Sequence, residues 1–306
     1  MARPALAADR ALQVIELLVA HPTESFTLAE ITRRTGINPA SAHALTAVLL
    51  RSGYLQRHPT QKTYTLGAAL VATGAAALDQ LPAIRAAQAE IGLLSDDLQL
   101  EVMLTAPTDD EIIVVGTAGE ASEFGSALPI GHRVPLNPPL GSVFLAWSTP
   151  GRIEQWLSRA RPAFSPAEVE RQHRILEAVR SWGYAIGLES PARRGLGAAV
   201  TRPTELQGGG AEGRSRFLAP GTVDDLLAAL VQVPYQLSSL DDHRTYDVSM
   251  IAAPLFDANR RVCAAITVTG LAPAASPDDI VAIAEKVRGT ALVVTKRARG
   301  RLPETA

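Results

Sequence analysis

Apolar positions in the first fifth of the chain recur at helical spacing and then switch to alternation. In 9–20, DRALQVIELLVA, the residues Leu12, Ile15, Leu17, Leu18 and Val19 share one helical face, and Pro22 ends the run. TLAEITRRTG opens a second helix with a Thr-x-x-Glu capping box, Thr27 to Glu30, and turns Leu28 and Ile31 inward. Gly36 supplies its stop. A third helix starts near Asn38 or Pro39, with proline favoured at the first helical position, and buries Ala42, Leu45, Val48 and Leu49. Gly53 closes it. YLQRHPTQKTYTLG then alternates and reverses at His58–Gln61, a two-stranded wing. The order predicts a winged helix-turn-helix over residues 9–67.

Beyond it, 68–97 is rich in Ala and Leu and is interrupted by Pro82, which gives a connecting helix and a second helix that begins the next domain. LQLEVMLTA, EIIVVGTA and HRVPL read as strands. Helices are predicted at Gly141–Trp147, Arg152–Ser158 and Ala167–Trp182. YAIGLE and the pair SMIAAPLFD and RVCAAITVTG around Asp257–Arg260 complete the strands. Ser276 and Pro277 cap a closing helix ahead of Asp278 and Asp279. Strands with helices on one side predict an α+β domain around an antiparallel sheet. Residues 190–247 break the rhythm and read as an insertion: LQGGGAEGRSR as a flexible loop and VDDLLAALVQV as a short helix.

Composition sharpens this only in places. The 306 residues are 47% hydrophobic, 20% charged and 5% aromatic, a globular profile with cores built largely from small side chains. The net charge is −2, but residues 1–65 carry seven Lys/Arg against four Asp/Glu, and the remainder 22 against 27. A mildly basic head on an acidic body suits a nucleic-acid-binding module. One cysteine, Cys263, excludes an intramolecular disulfide, and within VCAAITV it reads as a small buried hydrophobe. The N-terminus lacks the apolar core of a signal peptide, and no run approaches the length of a membrane span. The chain is therefore expected in the cytoplasm.

Enzymatic constellations are thin. DDHRTYD, 241–247, reads as a solvated turn rather than a metal site, because no second cluster lies at ligand spacing. His173 and Glu177 read as an exposed helical pair. No Gly-x-Ser-x-Gly, P-loop or dinucleotide fingerprint occurs, so no cofactor is expected and a hydrolase is the alternative from another class.

The ordered set RALQVIELL, TLAEITRRTG, SAHAL, RSGYL and YTLG, followed by HRVPLNPPLG, WGYAI, MIAAPLFD and AAITVTG, resembles the IclR-type bacterial transcriptional regulators. The resemblance covers roughly 9–189 and 246–295. It implies a DNA-binding domain (1–67), a connecting helix (68–82) and a GAF-like effector-binding domain (83–306) that carries the insertion. It implies a homodimer or homotetramer that binds a double-stranded DNA operator and switches a metabolic or catabolic operon in response to a small molecule. An alternative is a regulator that no longer reads an operator and acts as a sensing or protein-interaction module.

Departures from the family's pattern shape the site. Its usual Pro–Lys–Ser–Thr–x–His–Arg run stands here as Asn38–Pro39–Ala40–Ser41–Ala42–His43–Ala44, without either cation. Ser41 and His43 keep hydrogen-bonding groups, and the Ala40 methyl can meet a thymine methyl. Phosphate anchoring is then expected from Arg10, Arg33, Arg34, Arg51, Arg57 and Lys62, with His58 beside them. Carried over position by position, the effector lining is Leu140, Gly141, Gly187, Glu189, Met250, Thr267 and Thr269. Gly187 and Met250 stand where the family has an acid and a cysteine, and Asn137–Pro138–Pro139 removes two backbone donors before Leu140. An apolar or aromatic effector is expected. Two roles are open for the insertion, a lid over the effector or a subunit contact.

Overall fold

The computed structural model describes residues 5–120, 128–201 and 222–304, with only the backbone of 197–201 and 222–224. The loop LQGGGAEGRSR lies outside the described residues. The head is built from α1 (Leu6–Val19), α2 (Leu28–Thr35) and α3 (Pro39–Arg51), followed by the hairpin β2 (Leu55–Arg57) and β3 (Thr63–Leu66). The wing is wider than the alternation predicted. β3 pairs on its other edge with β1 (Phe26–Thr27), through Phe26↔Tyr64 and Thr27↔Thr63.

Local chemistry sets the helix ends. The Thr27 hydroxyl accepts the Glu30 N–H at 3.3 Å while Glu30 accepts the Thr27 N–H at 2.7 Å, which closes the capping box. Those bonds to Thr27 hold the Glu30 carboxyl below its ordinary range. Gly36 ends α2 at φ 67, a left-handed conformation natural to glycine. Asn38 caps α3, its side chain accepting the Ser41 N–H at 2.9 Å, with Pro39 at the first position.

Two inward assignments are corrected. Leu12 is 50% exposed while Val14 is fully buried. At 3.6 residues per turn the two lie about 200° apart around α1, so the helix that buries Val14, Leu17 and Leu18 must expose Leu12. Val48 is 48% exposed and Thr46 is buried in its place. Ala42, Thr46 and Leu49 share the inward face of α3, and the Thr46 hydroxyl is satisfied by donating to the Ala42 carbonyl at 2.8 Å.

α4 (Ala69–Gln80) buries none of its residues, and α5 (Pro82–Leu98) leads into the C-terminal part. There β4 (Glu101–Pro107), β5 (Glu111–Ala118), β6 (Arg133–Pro135), β7 (Ala185–Leu188), β8 (Val248–Phe256) and β9 (Val262–Thr269) form one antiparallel sheet in the order β6-β5-β4-β9-β8-β7. One face, with Val102, Leu104, Ile251, Ala253, Ile266 and Val268, packs against α5 and the closing helix α11 (Pro277–Arg297). The opposite face, with Ala185, Ala252 and Ala265, meets α6 (Ser142–Leu145), α7 (Pro150–Leu157) and α8 (Pro166–Trp182). Helices therefore cover both faces, not one, because each strand alternates apolar side chains to two cores.

The described residues of 190–247 form two helices, where only the second was expected. α9 (Pro191–Thr201) and α10 (Thr222–Val231) pack Leu196, Leu227 and Leu230 with Tyr235 and Leu140. Head and sheet also touch. Arg133 on β6 reaches Glu16 of α1 at 3.5 Å and Glu111 of β5 at 3.0 Å. A side chain at Gly131 would collide with Val19.

Candidate functional site

Two surfaces carry the chemistry that the sequence singled out. The first is the outer side of α3. Packing of Ala42, Thr46 and Leu49 into the head leaves Ala40, His43, Ala44 and Ala47 exposed and Ser41 half-exposed. Small methyls with one hydroxyl and one imidazole allow close approach to base edges, with no formal charge on the helix before Arg51. The exposed cations lie around it: Arg33 on α2, Arg51 at the end of α3, and Arg57 and Lys62 on the wing, with Arg10 half-buried on α1. Arg57 lies 5.6 Å over the Tyr64 ring, and the His58 ring accepts the N–H groups of Thr60 and Gln61 at 3.3 and 3.1 Å, which shapes the wing tip.

Arg34 is placed differently. Its guanidinium sits 4.7 Å over the Phe26 ring, 3.3 Å from His21 Nε2 and 3.9 Å from Glu24. Those contacts tie α2 to the end of α1, so Arg34 serves the frame of the head.

The second surface is the sheet face that meets α6, with α9 and α10 clustered on Leu140 and Tyr235 beside it. Strand register brings four of the expected effector residues together. Gly187 pairs with Met250, Met250 with Thr269, and Thr267 lies one step further along β9, opposite Met103. A Cβ at Gly187 would lie 2.8 Å from Met250 Cγ and 3.1 Å from Ser249 Oγ, so only glycine fits beside both. Leu140 joins the apolar cluster of α9 and α10, and its carbonyl accepts the Trp156 indole N–H at 3.1 Å. Gly141, at φ 90, packs on Leu136, which makes it a backbone requirement rather than a lining contact. Glu189 is committed to Arg193 at 3.2 Å and Arg194 at 3.6 Å.

Register also adds residues that the sequence reading passed over. Glu101 sits opposite Thr269 and accepts its hydroxyl at 3.0 Å. Burial pushes the Glu101 carboxyl above its ordinary range, the Thr269 bond and the nearby Arg193 charge opposing. Gln236 bridges to Gly187 and donates to Ser142 Oγ at 2.7 Å. A single charge inside LQLEVMLTA was the available signal for Glu101; nothing local marks Gln236 or Ser249.

Other candidates carry little. Burial raises the Cys263 thiol to about 11, which keeps it protonated and inert. Asp241, Asp242, His243 and Asp247 are exposed, and among the described residues no group of His, Cys, Asp and Glu could hold a metal. A recess of about 220 Å³ between Asp109, Asp110, Arg152 and Arg159 opens on the far side of Leu136, Leu145 and Trp156, and an Arg159–Asp110 ion pair at 2.8 Å lies in it. No described helix is long and apolar enough to cross a membrane.

Comparison with known proteins fits this arrangement. Residues 7–59 match the model of the IclR helix-turn-helix domain. The transcriptional regulator XynR of Escherichia coli is 24% identical over 187 residues, 59% of this chain and 73% of that protein. The crystal structure of an IclR regulator from Alicyclobacillus acidocaldarius superimposes with a TM-score of 0.65 at 20% identity, covering 97% of this chain and all of that one. An IclR homologue from Microbacterium hydrocarbonoxydans, solved with 4-hydroxybenzoate, gives 0.62 at 16% identity over 96% and 99% of the two chains. The chain thus carries an IclR helix-turn-helix domain at residues 7–59, has the fold of the solved IclR regulators along its length, and is similar to the IclR-type transcriptional regulators.

Proposed function

We propose that the protein is an effector-controlled regulator that binds the operator of a metabolic or catabolic operon as a dimer or a higher assembly of dimers. The observation that carries the DNA reading is the outer side of α3, exposed, uncharged and lined by Ala40, Ser41 and His43, within a ring of cations. Ser41 and His43 read base edges. Arg10, Arg33, Arg51, Arg57 and Lys62 hold phosphates, and Arg34 positions α2 for them. One helix-turn-helix reads only a half-site, and α4, which buries none of its residues and leaves Val71 75% exposed, supplies the surface for a second copy.

The effector lies on the sheet face along Gly187, Met250, Thr267 and Thr269, with Leu140 and Glu189 at its margin. The apolar cluster of Leu140, Leu196, Leu227, Leu230 and Tyr235 favours an apolar or aromatic body. The 4-hydroxybenzoate held by the Microbacterium hydrocarbonoxydans homologue is aromatic too. On this reading α9 and α10 act as the lid. A mobility shift with the DNA upstream of the protein's own gene, at two salt concentrations, tests the reading. Salt-sensitive binding that Ser41→Ala and His43→Ala alter supports operator recognition. No binding at either salt overturns it in favour of a protein-interaction module.

A further inference from the structure

The effector face carries a second layer of chemistry that its apolar wall does not explain. Glu101, Thr269, Met250, Gly187 and Gln236 are successive partners across β4, β9, β8, β7 and the segment beyond, so they form one continuous row. The row begins with a carboxylate only 4% exposed. It ends at an amide 7% exposed, whose oxygen meets no donor among the described residues. Ser249, 1% exposed beside Gly187, likewise has a hydroxyl without a partner. Native interiors leave few such groups unmatched, because each costs the hydration it lost.

The balance of these groups is one-sided. An ionised carboxylate only accepts, and the Thr269 hydroxyl is already given to it. Arg193, whose charge reaches Glu101, is bound to Glu189 at 3.2 Å. The Gln236 amide donates to Ser142, while its oxygen is buried without a donor among the described residues. A ligand carboxylate placed here would meet the like charge of Glu101, while the Arg193 charge is already matched by Glu189. A ligand hydroxyl or amine would meet acceptors.

We infer that the effector presents a hydroxyl or amine to this row, with Glu101 accepting its proton and Gln236 and Ser249 holding its other polar edge. The inference rests on the placement of the effector on this face. It narrows the ligand to an apolar or aromatic body bearing a donor group and no carboxylate at that end.

The test is isothermal calorimetry on the full-length protein without DNA, using benzyl alcohol, benzylamine and benzoate as matched probes. The wild type is expected to bind the alcohol and the amine in preference to benzoate. Glu101→Gln keeps an acceptor but loses the charge, so the amine should weaken about tenfold while the alcohol changes little. Glu101→Leu should lose both, and Glu170→Gln on the outer side of α8 should change neither. Melting curves of the ligand-free variants confirm that each is folded. Benzoate binding as tightly as the alcohol overturns the donor class and leaves the site standing. Failure of all three probes overturns the donor class and the placement on this face together, while the mobility shift with DNA reports independently on α3.

Discussion

The outer side of α3 and the inner row of the sheet, the two surfaces proposed for recognition, are opposite in kind. α3 is local: thirteen consecutive residues, capped by Asn38 and Pro39, bring Ala40, Ser41 and His43 to solvent with no help from distant chain. The row is assembled from Glu101, Gly187, Gln236, Met250 and Thr269, which stand far apart in sequence and meet only because four strands hold register. One surface is exposed and uncharged. The other is largely buried and polar. On the proposed reading, affinity at the first comes from surrounding cations, whereas specificity at the second comes from groups whose burial already costs free energy.

Variants separate the two surfaces. The largest effect is expected from Phe26→Ala, which empties the head core and removes the ring beneath Arg34 and His21. It should cost about 3–5 kcal/mol, seen as a lowered melting transition and lost DNA binding with probe binding at the sheet retained. Equal loss at both surfaces would show that head and sheet fold as one unit. Next come Arg57→Ala and Lys62→Ala, each expected to lower the slope of log affinity against log salt by about one unit and to weaken all DNA sequences alike. Ser41→Ala should instead change sequence preference in a binding-site selection; the reverse pattern would mean that the wing, not α3, reads the bases.

Smaller effects concern protons. Thr27→Ala removes the capping box and should cost about 1 kcal/mol in thermal unfolding. Because Glu30 titrates below its ordinary value of 4.5, its contribution is present above that pH and lost as pH falls through the folded value, so the cost should shrink in acid. Glu101 behaves oppositely. Its carboxyl is raised, so its charge burdens the fold as pH climbs above 4.5. Glu101→Gln should therefore raise the melting temperature of the ligand-free protein at neutral pH, with the gain fading as pH falls through the raised folded value towards 4.5. No gain at neutral pH would mean that the carboxylate is already compensated without a ligand.

The same contrast explains what the sequence revealed. Caps, turns and periodic faces are local, so Thr27, Glu30, Gly36, Pro39 and Ser276 stand out in the sequence itself, and the head, strands and closing helix follow from them. Val48 and Thr46 were exchanged because hydrophobicity alone ranks valine as core, while a threonine that bonds back to Ala42 buries without penalty. β1 was missed because two residues are too short to alternate. α9 was hidden by the Gly and Arg residues of PARRGLGAAVT, and it forms where Leu196 meets the partners on α10. Gln236 and Ser249 gain meaning only from strand pairing, which no local pattern encodes.

The Arg133 bridge bears on modularity. Heads and sensors of this architecture look interchangeable, joined by an exposed helix that could be cut anywhere along α4. Here, however, α1 is keyed to the sheet's edge strand: Arg133 is shared between Glu16 and Glu111, and Gly131 is bare where Val19 needs the space. A chimaera that grafts this head onto another sensor must therefore carry the β6 edge with it, or rebuild both the charge and the gap, before the new head can sit where the old one did.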